Sequence, residues 1–501
     1  MIAKRLPLRM IIAALIACAA APAGAVAPAG RFDRQAWQQD LAQLRAELER
    51  AYVNLAWMGA PESGVDVPRL WRRAQASLAA ATDDEEARRA IRAFVAGFED
   101  GHFSELPAQS RSAPAEPEPA PPALDADDPK SGCAALGFAS TAPVAFSLPF
   151  ERLPGFRLLS DGLAAPFRAG LAPLPDGRTI GVIRIQNFRP TPFPAVCLDA
   201  WNSLRSNGAA VTAEAIAEAA ERGWFAALAR QLGALRTLGS AAVIVDIGTN
   251  SGGNDSGDWT ARLVTNRAVA SARMAAVDAP IAARYFDEQI AELDAVRPAA
   301  RDAEARAAVD RARAFFARRK AAIGKARCDL SWVWRERRTW DPDACNRTID
   351  SGFASGFAAG LPRGAYGSSE VASRISWPSR IEAHFGAWTG PVYVLINGRS
   401  YSSAEMFAAV MQDNRIGRLI GEKSGGDGCG FMVEAEPLVL AHSRLRFRLP
   451  NCMRLRADGS NEVAGVTPDL PLPQIEGEST RARAARALRL IGDDLGAAPP
   501  R

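Results

Sequence analysis

The stretch Ala242-Val243-Ile244-Val245-Asp246-Ile247-Gly248-Thr249-Asn250-Ser251-Gly252-Gly253 decides the fold. Its first four residues are apolar without alternation, the pattern of a strand covered on both faces, and such strands belong to parallel sheets flanked by helices. The glycines that follow let backbone N–H groups point into a cavity, where they can stabilise an oxyanion or a phosphate, or simply form a tight turn. A nucleotide loop is disfavoured because no G-x-x-x-x-G-K-S/T pattern occurs. Working outward, Ile180 to Ile185 is a shorter β-branched strand, residues 211–236 read as helix, and Val392-Tyr393-Val394-Leu395-Ile396 is a further buried strand. Strand, helix, strand in that order specify an α/β core. Near the end, Arg444, Arg446 and Arg448 alternate with Leu445, Phe447 and Leu449, giving a strand with one buried and one basic face. The basic face is either solvated or holds an acidic group of a substrate.

The 392–396 strand runs through Asn397-Gly398-Arg399-Ser400 into Tyr401-Ser402-Ser403-Ala404-Glu405 and a helix containing Met406, Phe407, Val410 and Met411. A serine at a strand-to-helix turn presents its hydroxyl at a helix N-terminus, where the dipole and free amides favour developing negative charge. Ser402, Ser403 and Glu405 suit a helix cap and first turn equally well. A nucleophilic serine needs a general base, and His102 in Asp100-Gly101-His102 is the candidate.

The chain of 501 residues is 48% hydrophobic and 23% charged, which excludes a collagen, a wholly disordered chain and a multi-span membrane protein. Of a net charge of +4, Lys4, Arg5 and Arg9 lie in a leader, so the rest is nearly balanced and gives no reason to expect nucleic acid as a partner. Residues 1–25 read as a signal peptide with a small-residue site at Ala23-Gly24-Ala25; Leu15-Ile16-Ala17-Cys18 offers a second route, a lipid anchor at Cys18. The expected location is therefore the periplasm, free or anchored.

Residues 26–105 form a helical bundle by the spacing of Leu41, Leu44, Leu48, Tyr52 and Leu55, with a capping box at Thr82 and Glu85. Residues 106–130 are a proline-rich linker, 131–179 a small β-rich subdomain, 180–480 the α/β core with a helical insertion at about 268–325, and 481–501 a tail. Export makes disulfides the natural use of the six later cysteines. Proximity in sequence favours Cys328–Cys345 and Cys429–Cys452, leaving Cys133–Cys197, though sequence alone does not fix the connectivity. With no C-x-x-C pair and only His102, His384 and His442, no metal or cofactor is expected.

Taken in order, Asp100-Gly101-His102, Asp246 to Gly253, Ser402-Ser403-Ala404-Glu405, Gly421 to Gly426 and Gly465-Val466-Thr467-Pro468-Asp469 resemble the tail-specific, or carboxy-terminal processing, peptidases of the ClpP/crotonase-like fold. Members of that family proper use a serine and a lysine, but the position matching their lysine is Asp427 here, so the chain is more similar to the tricorn-core branch with serine, histidine and glutamate. The resemblance implies Ser402 as nucleophile, His102 as base and Glu462 as the group orienting the histidine. It also implies an oxyanion hole among the amides of Gly252, Gly253 and Ser403. Lys423 is expected to face solvent rather than replace the missing lysine. The implied activity is hydrolysis of protein or peptide substrates through an acyl-enzyme. The other reading is an exported carrier of an apolar ligand or peptide, since retinoid-binding proteins resemble the same branch.

Overall fold

Leu41, Leu44 and Leu48 bury one face of α1 (Arg34–Ala51), whose first turn is capped by Asp33. The computed structural model describes residues 32–108, 124–125, 127–139, 144–163, 165–325 and 327–497; the leader with Cys18 and most of the proline-rich linker lie outside them. Helices α2 (Leu55–Met58), α3 (Val67–Ala80) and α4 (Asp84–Ala96) complete the bundle. The cap of α4 falls one residue beyond its expected place. Asp83 accepts from the Glu86 amide, while Glu86 reaches back to the Thr82 amide and hydroxyl. An aspartate offers a charged acceptor at the positive end of the helix and so takes the cap from Thr82.

After β1 (Ser104–Leu106) and α5 (Pro129–Ala135) come the strands β2 (Arg157–Asp161), β3 (Arg168–Pro173) and β4 (Thr179–Arg184). Helices α6 (Pro194–Ser206) and α7 (Ala213–Thr237) lead to β5 (Ala242–Asp246), α8 (Ser256–Thr260) and β6 (Arg273–Val277). Next are α9 (Ala282–Val296), α10 (Ala303–Ala322), β7 (Thr348–Phe353), α11 (Ser369–Ile375) and β8 (Val392–Ile396). The chain closes with α12 (Ser403–Asp413), β9 (Arg418–Gly421), β10 (Leu438–Val439), β11 (Arg446–Arg448), β12 (Cys452–Leu455), β13 (Leu470–Pro471) and α13 (Thr480–Ala497).

The main sheet has the order β13-β9-β8-β5-β4-β3-β2, parallel from β4 to β13 and antiparallel at the β2-β3-β4 edge. Every residue of β5 and β8 is buried, as their unbroken apolar runs require. Two small sheets flank it, β12-β6-β7 and β1-β11-β10. In the second, Glu105 stands opposite Phe447, so the end of the bundle is hydrogen-bonded to a strand some 340 residues later.

Three sequence expectations change. Residues 131–179 are not a separate subdomain, because β2 and β3 extend the main sheet. Within the insertion, α9 and α10 are as expected, but Arg273–Val277 is a strand between β12 and β7; its two alanines hide the β signal, and pairing supplies what propensity does not. Nor are residues 481–497 a loose tail: Ala484, Ala487, Leu488 and Ile491 of α13 pack beneath the main sheet. All three expected disulfides are present, Cys133–Cys197, Cys328–Cys345 and Cys429–Cys452. No helix among the described residues is long and apolar enough to cross a membrane.

Candidate active site

Two loops leave the carboxyl ends of β5 and β8, the edge where parallel sheets present their ligand sites. They are laced together. The Thr249 amide donates to Asn397 Oδ1 (2.9 Å), the Tyr401 amide to the Asn250 carbonyl (2.9 Å) and the Ser400 hydroxyl to the Ile247 carbonyl (2.8 Å). Asp246 serves this scaffold, with its buried carboxylate engaged by Arg184, Ser147 and the Gly248 amide.

The lacing delivers Ser402 to the N-terminus of α12 with φ 54° and ψ −115°. A left-handed backbone costs an ordinary L residue about 1–3 kcal/mol and persists only where its surroundings enforce it. Gly252 (φ 101°) makes room on one side, since a Cβ there would lie 2.7 Å from that of Ser402. Glu405 holds the other side. Its fully buried carboxylate accepts from the amides of Ser402 (3.0 Å), Gly426 (2.7 Å), Asp427 (2.8 Å) and Gly428 (3.3 Å) and from the Ser424 hydroxyl (2.6 Å). Burial, with a smaller push from Glu462, raises the Glu405 carboxyl to about 7, and the Ser424, Asp427 and Gly426 donors pull the other way. One acidic side chain thus fixes both the serine turn and the glycine-rich loop 424–428.

Of the three expected oxyanion amides, that of Gly252 is already used, donating to Asn250 Oδ1 at 2.8 Å. Those of Gly253 and Ser403 have no acceptor among the described residues and flank the serine turn. Ser403 contributes only its amide, because its hydroxyl donates to the Asn254 carbonyl.

His102 follows the bundle in a turn shaped by Asp100. That buried carboxylate accepts from Tyr52 (2.8 Å), Asn54 (2.9 Å) and the His102 amide (3.0 Å). Burial raises the Asp100 carboxyl, offset by these donors and by His102 itself. The imidazole Nδ1 lies 2.8 Å from the Asp427 carbonyl. A carbonyl only accepts, so Nδ1 carries the proton and Nε2 is the accepting nitrogen of the neutral ring. Phe431 packs edge-on to the ring, and no hydrogen bond joins His102 to Ser402 among the described residues.

Glu462 is fully buried, but both its oxygens are held by Arg454 at 2.6 to 3.1 Å, and no hydrogen bond joins it to His102 among the described residues. Arg454 also donates to the carbonyls of Gly428 (2.8 Å) and Ser402 (3.4 Å). Burial works against its charge, and Glu462 with Glu405 and Asp255 together more than offset that, so its protonated form is favoured. Arg454 escaped notice in the sequence, although one arginine inside Cys452-Met453-Arg454-Leu455 is a signal, since a charge on a buried strand needs a partner. Lys423 is exposed, as expected.

The model of peptidase family S41 matches residues 179–472. The chain belongs to peptidase family S41. It is accordingly a serine peptidase that hydrolyses protein or peptide substrates. The S41 match begins at β4 and leaves out the bundle with His102. Among solved structures, mature CPAF shares 13% identity over 92% of this chain and 98% of its own, with a TM-score of 0.51. Mature CPAF complexed with lactacystin shares 14% over 92% and 99%, also at 0.51. At such identities the likeness is one of fold. No curated protein matches the chain.

Proposed function

We propose that this S41 peptidase cleaves peptide bonds with Ser402 as nucleophile and His102 as general base. The observation that carries the reading is the strained Ser402 turn at the N-terminus of α12, flanked by the unpartnered amides of Gly253 and Ser403. Ser402 Oγ adds to the scissile carbonyl as its proton passes to His102 Nε2, and the two amides hold the oxyanion. Collapse expels the amine, which takes the proton from His102, and water then hydrolyses the acyl-enzyme by the same route. In this reading Glu462 is a positioning residue. It fixes Arg454, which holds the carbonyls of Ser402 and Gly428. Three disulfides support an oxidising compartment outside the cytoplasm, reached through the leader with either processing at Ala25 or lipidation at Cys18.

A fluorophosphonate should label Ser402, as mapped by mass spectrometry, and Ser402→Ala should lose both labelling and turnover while melting like the parent. Undiminished hydrolysis by Ser402→Ala would refute the assignment. Binding of apolar ligands with no turnover by either protein would favour the carrier function instead.

A further inference from the structure

Asp427 brackets the imidazole of His102. Its carbonyl takes the Nδ1 side at 2.8 Å, and its carboxylate Oδ2 stands 3.8 Å from Nε2. The second carboxylate oxygen, Oδ1, is buried without a hydrogen-bond partner. It sits so close to Gly101 that a Cβ there would meet it at 1.8 Å. Gly430 closes the other side, where a Cβ would fall 2.8 Å from Nε2. Two residues without side chains therefore let a carboxylate and an imidazole share one small space.

The Gly101 amide beside the Asp427 carboxylate compensates its burial only in part, and a buried carboxylate oxygen without a full hydrogen bond is costly unless a charge faces it. The charged groups facing Asp427 are His102 and Asp100 from the turn after α4, and Arg454 from β12. Arg454 is committed to Glu462, which leaves the imidazolium form of His102 as the matching cation. The Asp427 main chain is pinned, its amide by Glu405 and its carbonyl by His102, so only the side chain is free to turn.

We propose that the Asp427 carboxylate is a latch on His102: it covers the Nε2 edge in the free protein and must swing away before Ser402 can pass its proton there. The inference rests on the Ser402–His102 reading. A protonated imidazole offers Nε2–H to the carboxylate and closes the latch, whereas the lone pair of a neutral ring repels it and opens it. Burial holds the Asp427 carboxyl above its ordinary range, with His102, the Gly101 amide and Arg454 pulling down and Asp100 pushing up, which fits a group kept ionised chiefly by its neighbours. The latch therefore deepens the loss of activity at acid pH, because a protonated ring holds the carboxylate over Nε2.

The test is the rate of fluorophosphonate labelling of Ser402 in the full-length parent, Asp427→Ala and Asp427→Ser, with the histidine NMR signals followed over the same pH range. Both replacements keep the main-chain contacts and are too short to reach Nε2. The ratio of the labelling rate near pH 5.5 to that near pH 8.5 should rise severalfold in each, with the acid limb of the profile moving to lower pH. The His102 signal, one of three histidines in the chain, should shift in the same direction. A His102 signal and a labelling ratio both unmoved in either folded variant overturn the latch. A His102 signal that moves while labelling stays flat supports the contact and removes His102 as the base, so failure of the latch and failure of the mechanism are told apart. If both variants fail to fold, the parent alone decides: an NMR titration showing His102 Nε2 unprotonated while the Asp427 carboxyl is ionised at pH 5.5 overturns the proposal.

Discussion

Arg454 and Glu462 carry opposite charges in a place almost closed to water, with side-chain exposures of 3% and 0%. Breaking such a pair leaves one buried charge without a partner and costs about 3–5 kcal/mol, whereas replacing both by apolar residues is often neutral. Glu462→Gln should therefore lose stability of that order in urea unfolding, and Arg454→Met/Glu462→Leu should recover most of it. Turnover should stay low in both, because the Ser402 and Gly428 carbonyls lose their donor in the double variant and Arg454 loses its anchor in Glu462→Gln; a Glu462→Gln protein as stable as the parent would show the pair to be dispensable. Glu405 makes a prediction in pH. Its carboxyl lies near 7 in the folded protein against an ordinary value of 4.5, so between these the folded state holds a proton that the unfolded chain has released. Its contribution to stability is fully present below about pH 4.5 and declines as pH rises to about 7, by an amount on the order of 2–4 kcal/mol. Glu405→Gln should flatten that slope in unfolding curves taken across this range. The same variant should impair turnover, since an amide nitrogen would face backbone N–H donors. Lys423→Ala should keep substantial activity, because the lysine is exposed and makes no hydrogen bond or ion pair with Ser402 or His102 among the described residues; a fall in kcat like that of Ser402→Ala would restore a serine–lysine mechanism.

Among the elements, the loop 424–430 depends on two ties. Glu405 holds its first half, and the Cys429–Cys452 bridge fastens its second half to β12, where the amides of Asn451 and Cys452 also donate to the Gly430 carbonyl. The bridge closes a loop with a sequence separation of 23 residues, worth roughly 3 kcal/mol in the chain-entropy picture. Cys429→Ala/Cys452→Ala should lose stability of about that size. It should lose kcat as well, because Asp427 and Gly430 position the histidine ring. Unaltered kinetics in the folded double variant would mean that Glu405 alone secures the loop. The pairing was readable from chain proximity, but its purpose was not, since only the fold places Asp427 beside His102.

For the whole molecule, the bundle does not have a core of its own. Leu44, Leu48, Phe94 and Phe98 share one apolar cluster with Trp332, Trp334, Leu440, Phe447 and Val463, and Asn461 beside Glu462 donates to Asn54 at 2.9 Å. Calorimetry should accordingly show the bundle and the catalytic core melting in a single transition, and a chain lacking residues 32–103 should be insoluble or inactive. Two separated transitions would mean that the interface is weaker than its packing implies. What the sequence determined by itself was whatever short-range pattern encodes: the buried strands 242–246 and 392–396, the helical bundle within 26–105, a helix over 211–236, the serine at a strand-to-helix turn, and a favoured though not a fixed set of cysteine pairs. These follow from the burial of consecutive apolar residues and from chain proximity, both written along the chain. Tertiary structure alone decided that the Gly252 amide is already occupied, that Glu462 serves Arg454, that Arg273–Val277 is a strand, and that Asp427 faces the histidine. The last two depend on partners tens to hundreds of residues away. In the first two even near neighbours, Asn250 beside Gly252 and Arg454 eight residues from Glu462, meet only because the folded chain turns them together. A donor, a countercharge or a neighbouring strand can be supplied from anywhere in the chain, so it leaves no local periodicity to read.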